Sequence, residues 1–201
     1  MQVDAAAGSV RFARPAMEIN FGAIGKGYAL DRCGELLHRH AVEHCLLHGG
    51  KSSMLAWGTR CESQDSPGWR VAIRNPVATQ HRLIEITLQG AGLATSGSAN
   101  QFFYFQGQRY SHIIDPRTGW PVQGTWSVTV VAPTAAEADA YATALFVMGR
   151  DEAIAFCRDR GDLAAWIVTP GARSGALELH VVGADEIDWL LLAEDVQVQK
   201  C

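Results

Sequence analysis

The sequence predicts an α+β fold built from mixed or antiparallel sheets and a few packed helices. The chain has 201 residues, of which 48% are hydrophobic and 19% charged. This length and composition are typical of one globular domain that spans residues 1–201. Short strand-like segments outnumber helical segments, and the two kinds do not alternate strictly along the chain. The order of elements therefore favours α+β over a repeated βαβ architecture.

The strand predictions depend on β-branched runs and on alternation of apolar and polar positions. Such segments occupy residues 9–13, 43–47, 52–57, 69–74, 83–88, 101–105, 109–114, 125–132, 163–169 and 177–182. Gln106-Gly107-Gln108 separates two of them and predicts a short hairpin connection. Residues 95–98 are predicted to form a loop, and residues 115–119 (DPRTG) have the chemistry of a turn.

Helix signals occur in three places. Residues 28–40 place apolar side chains at the i, i+3, i+4, i+7 spacing of an amphipathic helix. Thr134 and Glu137 match a capping box, which predicts a helix from there to about Met148, ended by Gly149. A further helix is predicted over residues 151–160, before Gly161.

Charge and composition exclude several classes of protein. The net charge of −4 argues against non-specific binding to nucleic acid, which needs a basic surface. No apolar run approaches the roughly 20 residues of a membrane-spanning helix. The five cysteines lack C-x-x-C spacing, which disfavours a zinc site or a disulfide framework. Residues 1–8 (MQVDAAAG) have no basic and apolar leader pattern, so no signal peptide is predicted in this chain.

A glycine-rich segment, residues 22–27 (GAIGKG), opens the first predicted helix. Glycines let backbone amides approach a ligand, and the N-terminus of a helix favours an anion. Lys26 adds a positive charge, so the segment is a candidate phosphate site. The spacing does not match a P-loop, because the Gly-Lys pair lacks the required upstream glycine and following hydroxyl. A plain turn leading into a helix is the alternative.

Asp139 and Thr143 lie four residues apart on the second predicted helix and therefore project from one face. A carboxylate and a hydroxyl one turn apart suit a hard cation such as Mg²⁺, which prefers oxygen ligands. The surrounding residues are mostly alanine, which suggests that Asp139 faces something specific. The alternative is an acidic residue that merely complements the helix dipole.

Three further segments are candidates for the same site. His112 ends a predicted strand and is either a general base or a structural histidine. Thr95-Ser96-Gly97 offers hydroxyls and amides to a phosphate, although an ordinary turn has the same composition. Gly49 and Gly50 follow His48 and provide backbone room near a ligand.

Five segments occur in a fixed order along the chain: residues 22–31 (GAIGKGYALD), 48–50 (HGG), 94–97 (ATSG), 112–121 (HIIDPRTGWP) and 138–149 (ADAYATALFVMG). In sequence and order they resemble the ApbE family of FAD:protein FMN transferases, whose first motif is a G-x-I-x-K-G-Y-x-x-D segment. The similarity covers about residues 9–160. It implies an ApbE-like domain related to the T-fold.

The resemblance implies a reaction. Such enzymes use Mg²⁺ to cleave the pyrophosphate bond of FAD. They transfer FMN to a Thr or Ser hydroxyl of a target flavoprotein and release AMP. By matching position, Asp139 and Thr143 bind the metal through side-chain oxygens, and Ala23 binds it through its carbonyl. Lys26 contacts the FAD phosphates, Asp139 and Lys26 contribute to catalysis, and His112 is the candidate base. The implied FAD-binding set is Asn20, Lys26, Gly49, Gly50, Thr95, Ser96, Gly97, His112 and Ile113.

Two alternatives to flavin transfer stay open. One is an FAD pyrophosphatase that yields FMN and AMP, and the other is a non-catalytic flavin-binding fragment. Family members are usually longer on the N-terminal side, so the chain is expected to correspond to about the later two-thirds of the family fold. Many members have Asp at the position of Asn20. The family resemblance implies a location at the cell envelope or periplasm, whereas the lack of a leader leaves a cytoplasmic location open.

Overall fold

The computed structural model describes residues 1–60, 68–98, 102–173 and 175–201. Over these residues it confirms the α+β prediction. The helices are α1 (Gly25–Arg39), α2 (Ala135–Met148) and α3 (Arg150–Arg160). The strands are β1 (Gln2–Asp4), β2 (Ser9–Arg11), β3 (Cys45–Gly49), β4 (Ser53–Trp57), β5 (Trp69–Arg74), β6 (Arg82–Leu88), β7 (Ala91–Gly97), β8 (Phe102–Phe105), β9 (Gln108–Ser111), β10 (Ile114–Asp115), β11 (Trp120–Pro121), β12 (Ser127–Ala132), β13 (Ala164–Pro170), β14 (Leu177–Val182), β15 (Trp189–Leu191) and β16 (Val196–Lys200).

A seven-stranded sheet forms the centre of the described fold. Its strand order is β16-β14-β13-β12-β7-β4-β3. Neighbouring strands are antiparallel, except that β14 and β16 are parallel. A three-stranded antiparallel sheet has the order β15-β6-β5, and the remaining strands form two-stranded ribbons. The sheets are therefore mixed, as predicted.

The central sheet lies between the helices on one face and the three-stranded sheet on the other. Strand β13 shows this arrangement because its side chains alternate between the faces. Ala165 and Ile167 belong to the apolar cluster that includes Leu145 and Phe146 of α2. Trp166 and Val168 belong to the cluster that includes the apolar residues of β5 and β6. Both faces of β13 are buried, which explains its nearly continuous run of apolar residues.

The helix ends follow the predicted capping chemistry. The Thr134 hydroxyl accepts a hydrogen bond from the Glu137 amide at the start of α2. Gly161 ends α3 in the left-handed conformation, with φ of 71°. Helix α1 begins three residues earlier than the apolar periodicity predicts. Its first amide, that of Gly25, donates to the Phe21 carbonyl at 2.7 Å, so the glycine-rich segment itself enters the helix.

The prediction of a loop at residues 95–98 is wrong for Thr95, Ser96 and Gly97. These residues end β7 and pair with residues of β12, with Ser127 opposite Gly97. The small residues of this strand have close neighbours on other elements. A Cβ atom on Gly97 would lie 3.0 Å from the Trp126 carbonyl oxygen, and one on Gly92 of the same strand would lie 2.5 Å from the Ala135 Cα atom of α2. Packing against neighbouring elements therefore selects a composition that resembles a loop.

The hairpin between β8 and β9 is confirmed, with Gln106 and Gly107 at its tip. Their φ angles of 49° and 75° are both positive, as a type I′ turn requires. The second arm ends at Ser111, earlier than the predicted residue 114. Residue 101 of the first arm lies outside the described residues. Within the described ranges, no helix is long and apolar enough to cross a membrane.

Candidate functional site

The Asp139 carboxylate lies at the centre of a buried polar cluster. Asp139 belongs to the second turn of α2 and is only 3% exposed. Its Oδ1 atom accepts a hydrogen bond from the Ser53 hydroxyl at 3.0 Å and lies 3.0 Å from Lys26 Nζ. Its Oδ2 atom accepts from the Gly27 amide at 3.0 Å and from Lys26 Nζ at 3.2 Å. These donors offset the cost of burying a charged carboxylate.

Close packing of the two helices makes this cluster possible. A Cβ atom on Gly27 would lie 2.0 Å from the carbonyl oxygen of Ala135, the first residue of α2. Only glycine lets α1 and α2 approach to this distance. The approach places the Gly27 amide, in the first turn of α1, within hydrogen-bond distance of Asp139. The interpretation that Asp139 faces something specific is thus confirmed by its contacts with α1, β4 and Lys26.

Lys26 connects two kinds of oxygen atom. Its ammonium donates to the Gly22 carbonyl at 3.1 Å and also pairs with Asp139. The Lys26 side chain is 40% exposed, whereas that of Asp139 is 5% exposed. The ammonium therefore lies between the buried carboxylate and solvent. A positive charge is accommodated between a backbone carbonyl and a carboxylate at this point of the structure.

Thr143 and Ser96 form a second polar pair beside Asp139. Thr143 lies one turn after Asp139 on α2, and its hydroxyl is 3.4 Å from the Asp139 carbonyl oxygen. The Ser96 and Thr143 hydroxyl oxygens are 2.8 Å apart. Ser96 therefore faces α2 from strand β7. The prediction that Asp139 and Thr143 share a helix face is confirmed.

The side chain of Thr95 points to the opposite face of the sheet. Successive residues of a strand alternate between faces, and Ser96 faces α2. The Thr95 hydroxyl lies 2.9 Å from that of Thr129 on β12. The Thr95 amide donates to the Ser52 carbonyl at 2.8 Å. The structure thus places Ser96, but not the Thr95 side chain, beside the Asp139 cluster.

The turn after β3 borders Lys26. A Cβ atom on Gly49 would lie 3.6 Å from the Lys26 Cβ atom. Gly50 has a φ of 68° and no other atom within 4 Å of a Cβ position, so this part of the turn is open. Gly49 pairs with Ser53 across the β3–β4 hairpin. The hairpin therefore brings both the two glycines and the Ser53 hydroxyl to the Asp139 cluster.

Asn20 and Ala23 lie in the segment that leads into α1. The Asn20 Oδ1 atom accepts a hydrogen bond from the Gly22 amide at 2.7 Å. Ala23 lies in the turn directly before α1, and both residues are exposed. The Gly22 carbonyl, next to Ala23, is the one that accepts from Lys26. The segment thus presents the Gly22 carbonyl oxygen to Lys26.

His112 and Ile113 lie on a separate segment that directly follows β9. The His112 side chain is exposed, and Ile113 packs against the apolar cluster on the helix side of the sheet. Arg117 anchors this segment to the helices: its guanidinium donates to the Val147 carbonyl at 3.2 Å and to Glu152 at 3.0 Å. Arg117 also forms an ion pair with Asp115, and this pairing lowers the pKa of the Asp115 carboxyl.

Sequence reasoning gave no role to two residues of this region. Ser53 donates to Asp139 and is fully buried. Its signal in the sequence is a hydroxyl at the start of an otherwise apolar strand. Asp31 accepts hydrogen bonds from the Ala135 and Ala136 amides at 2.8 and 2.9 Å. Asp31 is the last residue of the segment 22–31 (GAIGKGYALD), and only the tertiary structure shows what its side chain contacts.

The fold and the site define a class: an α+β protein in which a buried carboxylate of α2 meets a lysine and a backbone amide at the N-terminus of α1 and a serine hydroxyl of β4. The chain belongs to the ApbE family, whose sequence profile matches residues 1–167.

Individual relatives agree with this assignment. The FAD:protein FMN transferase of Escherichia coli K12 is 35% identical over 157 residues, which are 77% of this chain and 43% of that protein. The ApbE protein of Thermotoga maritima superposes with a TM-score of 0.68 and 32% identity, over 81% of this chain and 51% of that one. The apo flavinyl transferase ApbE of Pseudomonas stutzeri gives 0.69 and 29%, over 84% and 51%. This chain thus spans about half the length of these relatives.

Proposed function

We propose that this chain acts in the Mg²⁺-dependent transfer of FMN from FAD to a Thr or Ser hydroxyl of a target flavoprotein, with release of AMP. The observation that carries the proposal is the buried Asp139 carboxylate, held by Lys26, Gly27 and Ser53, with the Thr143 hydroxyl one helical turn later at the Asp139 backbone carbonyl. The names of the relatives, FAD:protein FMN transferase and flavinyl transferase, support the same reaction.

The oxygens of this site fit a hard cation. Asp139 offers a carboxylate, Thr143 a hydroxyl and Ala23 a backbone carbonyl, and Mg²⁺ prefers oxygen ligands of these kinds. The Lys26 ammonium already places a positive charge between the Gly22 carbonyl and Asp139. In the proposed site, bound Mg²⁺ offsets the negative charge that develops on the departing AMP.

Lys26, in this proposal, also binds the FAD phosphates. The Lys26 side chain is more exposed than that of its ion-pair partner Asp139. The ammonium can therefore turn toward solvent while the Lys26 backbone stays in α1. The Gly49–Gly50 turn borders it and provides backbone room for a pyrophosphate. Asn20, Ser96, Gly97 and Ile113 complete the proposed FAD-binding set. Thr95 is in that set as the resemblance implies, although its hydroxyl pairs with Thr129 and its amide donates to the Ser52 carbonyl.

His112 is the proposed base. A Thr or Ser hydroxyl is a weak nucleophile near neutral pH, and a nearby imidazole accepts its proton as the new phosphate ester forms. The hydroxyl oxygen bonds to the FMN phosphorus, and the bond from that phosphorus to the bridging oxygen breaks. His112 follows β9 directly and is exposed, which suits a residue that meets a protein substrate. The Arg117 anchor limits movement of its segment relative to α2.

The test incubates the chain with FAD, Mg²⁺ and an apo-flavoprotein that ApbE enzymes flavinylate. Covalent flavin on the target, seen as a fluorescent band on a denaturing gel, supports the proposal. AMP and free FMN without flavinylated target support a pyrophosphatase instead. FAD binding in calorimetry without AMP release supports a non-catalytic flavin-binding protein.

A matched pair of variants links the activity to the site. Asp139→Asn removes the charge of the buried carboxylate and is expected to abolish turnover. Asp159→Asn removes the same charge from an exposed position on α3 and is expected to leave turnover unchanged. Full activity of Asp139→Asn would remove Asp139 from the mechanism. The proposed location at the cell envelope rests on the family resemblance alone, and cell fractionation tests it.

A further inference from the structure

Helices α1 and α2 each supply a carboxylate to the N-terminus of the other. Asp139 of α2 accepts from the Gly27 amide in the first turn of α1, at 3.0 Å. Asp31 of α1 accepts from the Ala135 and Ala136 amides, the first two residues of α2, at 2.8 and 2.9 Å. The two helix starts are therefore joined by three hydrogen bonds that run in both directions.

Each of these bonds satisfies an amide that its own helix cannot satisfy. The first four amides of an α-helix lack intrahelical acceptors, and the positive end of the helix dipole favours a carboxylate there. Asp31 binds two successive amides with its two oxygens, Oδ1 and Oδ2. A two-point bond of this kind restricts rotation of α2 as well as its position along the axis.

The position of Asp139 depends on this contact. Asp139 lies four residues after Ala135, which is about 6 Å along the helix axis. A small rotation of α2 at Ala135 moves the Asp139 oxygens around the same axis. Gly27 allows the close approach of the helices and joins them through its amide, which depends on where Asp139 lies. Asp31 joins α1 to α2 independently of Asp139, at the first two residues of α2.

We propose that Asp31 is a positioning residue for Asp139. Its carboxylate sets the rotation of α2 so that Asp139 meets Gly27, Lys26 and Ser53. Through Asp139, Asp31 would also affect metal affinity without touching the metal. This part of the inference rests on the proposed function. The alternative is that Asp31 only stabilises α2 as any helix cap does.

Thr134 provides a matched control. Its hydroxyl caps the same end of the same helix by accepting from the Glu137 amide at 3.2 Å, and this bond does not involve α1. Thr134→Ala removes a cap without removing a contact between the helices. A role limited to stability predicts similar consequences for Thr134→Ala and Asp31→Ala. A positioning role predicts that only the Asp31 change reaches Asp139.

The experiment compares the full chain with Asp31→Ala, Asp31→Asn and Thr134→Ala. The first readout is hydrogen exchange of the Gly27 amide by NMR without metal, because this amide donates to Asp139. The second is the affinity for Mn²⁺ alone, a spectroscopic substitute for Mg²⁺, measured by electron paramagnetic resonance. If Asp31→Ala does not fold, Asp31→Asn serves in its place, because it keeps one acceptor oxygen.

The expected result is faster exchange of the Gly27 amide and about a 10-fold loss of Mn²⁺ affinity in the Asp31 variants. Both quantities are expected to stay at the wild-type value in Thr134→Ala. Equal effects in the Asp31 and Thr134 variants, or an unchanged Gly27 exchange rate in Asp31→Ala, would overturn the inference. If the unaltered chain binds no Mn²⁺, the proposed metal site fails, and the Gly27 exchange rates alone decide the role of Asp31.

Discussion

Replacement of Gly27 by alanine is the most direct test of the geometry that forms the site. The added Cβ atom would lie 2.0 Å from the Ala135 carbonyl oxygen, whereas Cβ contacts shorter than 3.0 Å are essentially never seen. The helices must therefore separate by at least about 1 Å, because packed interiors have no spare volume. A shift of this size breaks the 3.0 Å bond between the Gly27 amide and Asp139.

The energetic effect combines three contributions. Overpacking costs about 1–3 kcal/mol, and loss of a hydrogen bond to a charged group costs about 1.5–3 kcal/mol. The higher helix propensity of alanine returns about 1 kcal/mol. The expected loss in the free energy of unfolding is therefore about 1.5–5 kcal/mol, accompanied by loss of metal affinity.

Gly25→Ala is the control for this prediction. It adds the same methyl group to the same helix, but its Cβ atom would meet only the Phe21 Cβ atom, at an ordinary distance of 3.7 Å. Because alanine has the higher helix propensity, Gly25→Ala is expected to leave the free energy of unfolding unchanged or to raise it by up to about 1 kcal/mol. Urea unfolding followed by tryptophan fluorescence measures both variants. If Gly27→Ala proves as stable as Gly25→Ala, the helices do not cross at Gly27 and the reasoning is refuted.

Three further predictions concern charge, pH and thiol chemistry. Lys26→Met is expected to raise the affinity for Mn²⁺ alone, because the variant lacks the ammonium that competes with the metal for Asp139. The same variant is expected to bind FAD more weakly, and calorimetry with each ligand measures both affinities. Burial lowers the pKa of His180 below its ordinary value of 6.5, so the unfolded chain binds a proton that the folded chain does not. Stability is therefore expected to fall as the pH drops below 6.5, and His180→Gln should flatten this dependence in urea titrations at several pH values. Burial raises the pKa of the Cys157 thiol to about 11, whereas Cys33 is exposed. Iodoacetamide is therefore expected to label Cys33 in the native protein and Cys157 only after unfolding, and peptide mass spectrometry measures the labelling of each.

Local sequence signals predicted most of the fold. Apolar periodicity located α1 to within three residues of its start, the Thr134 cap located α2, and glycines 149 and 161 marked the ends of α2 and α3. These signals are reliable because they involve residues within one turn of each other. The strand at residues 95–97 was missed, because its small residues resemble a loop and the strand β12 that pairs with them is distant in sequence.

The candidate site was predictable only in part. Asp139, Thr143 and Lys26 were identified as chemically unusual, and family motifs associated them with one reaction. The sequence did not show that Lys26 pairs directly with Asp139, since 113 positions separate the two residues. It also gave no role to Ser53 or Asp31, whose partners lie on other elements.

The sequence by itself determined the α+β class, the ends of the helices, the order of the motifs and the family to which they point. These properties depend on short-range spacing, which the chain carries before it folds. Only the tertiary structure decided that Ser96 faces α2 while the Thr95 hydroxyl faces away. It also decided that α1 and α2 each accept, through an aspartate, a hydrogen bond from an amide at the start of the other helix. The physical reason is that strand register sets which side chains of β7 face α2, and the Gly27 crossing brings residues over a hundred positions apart within hydrogen-bond distance.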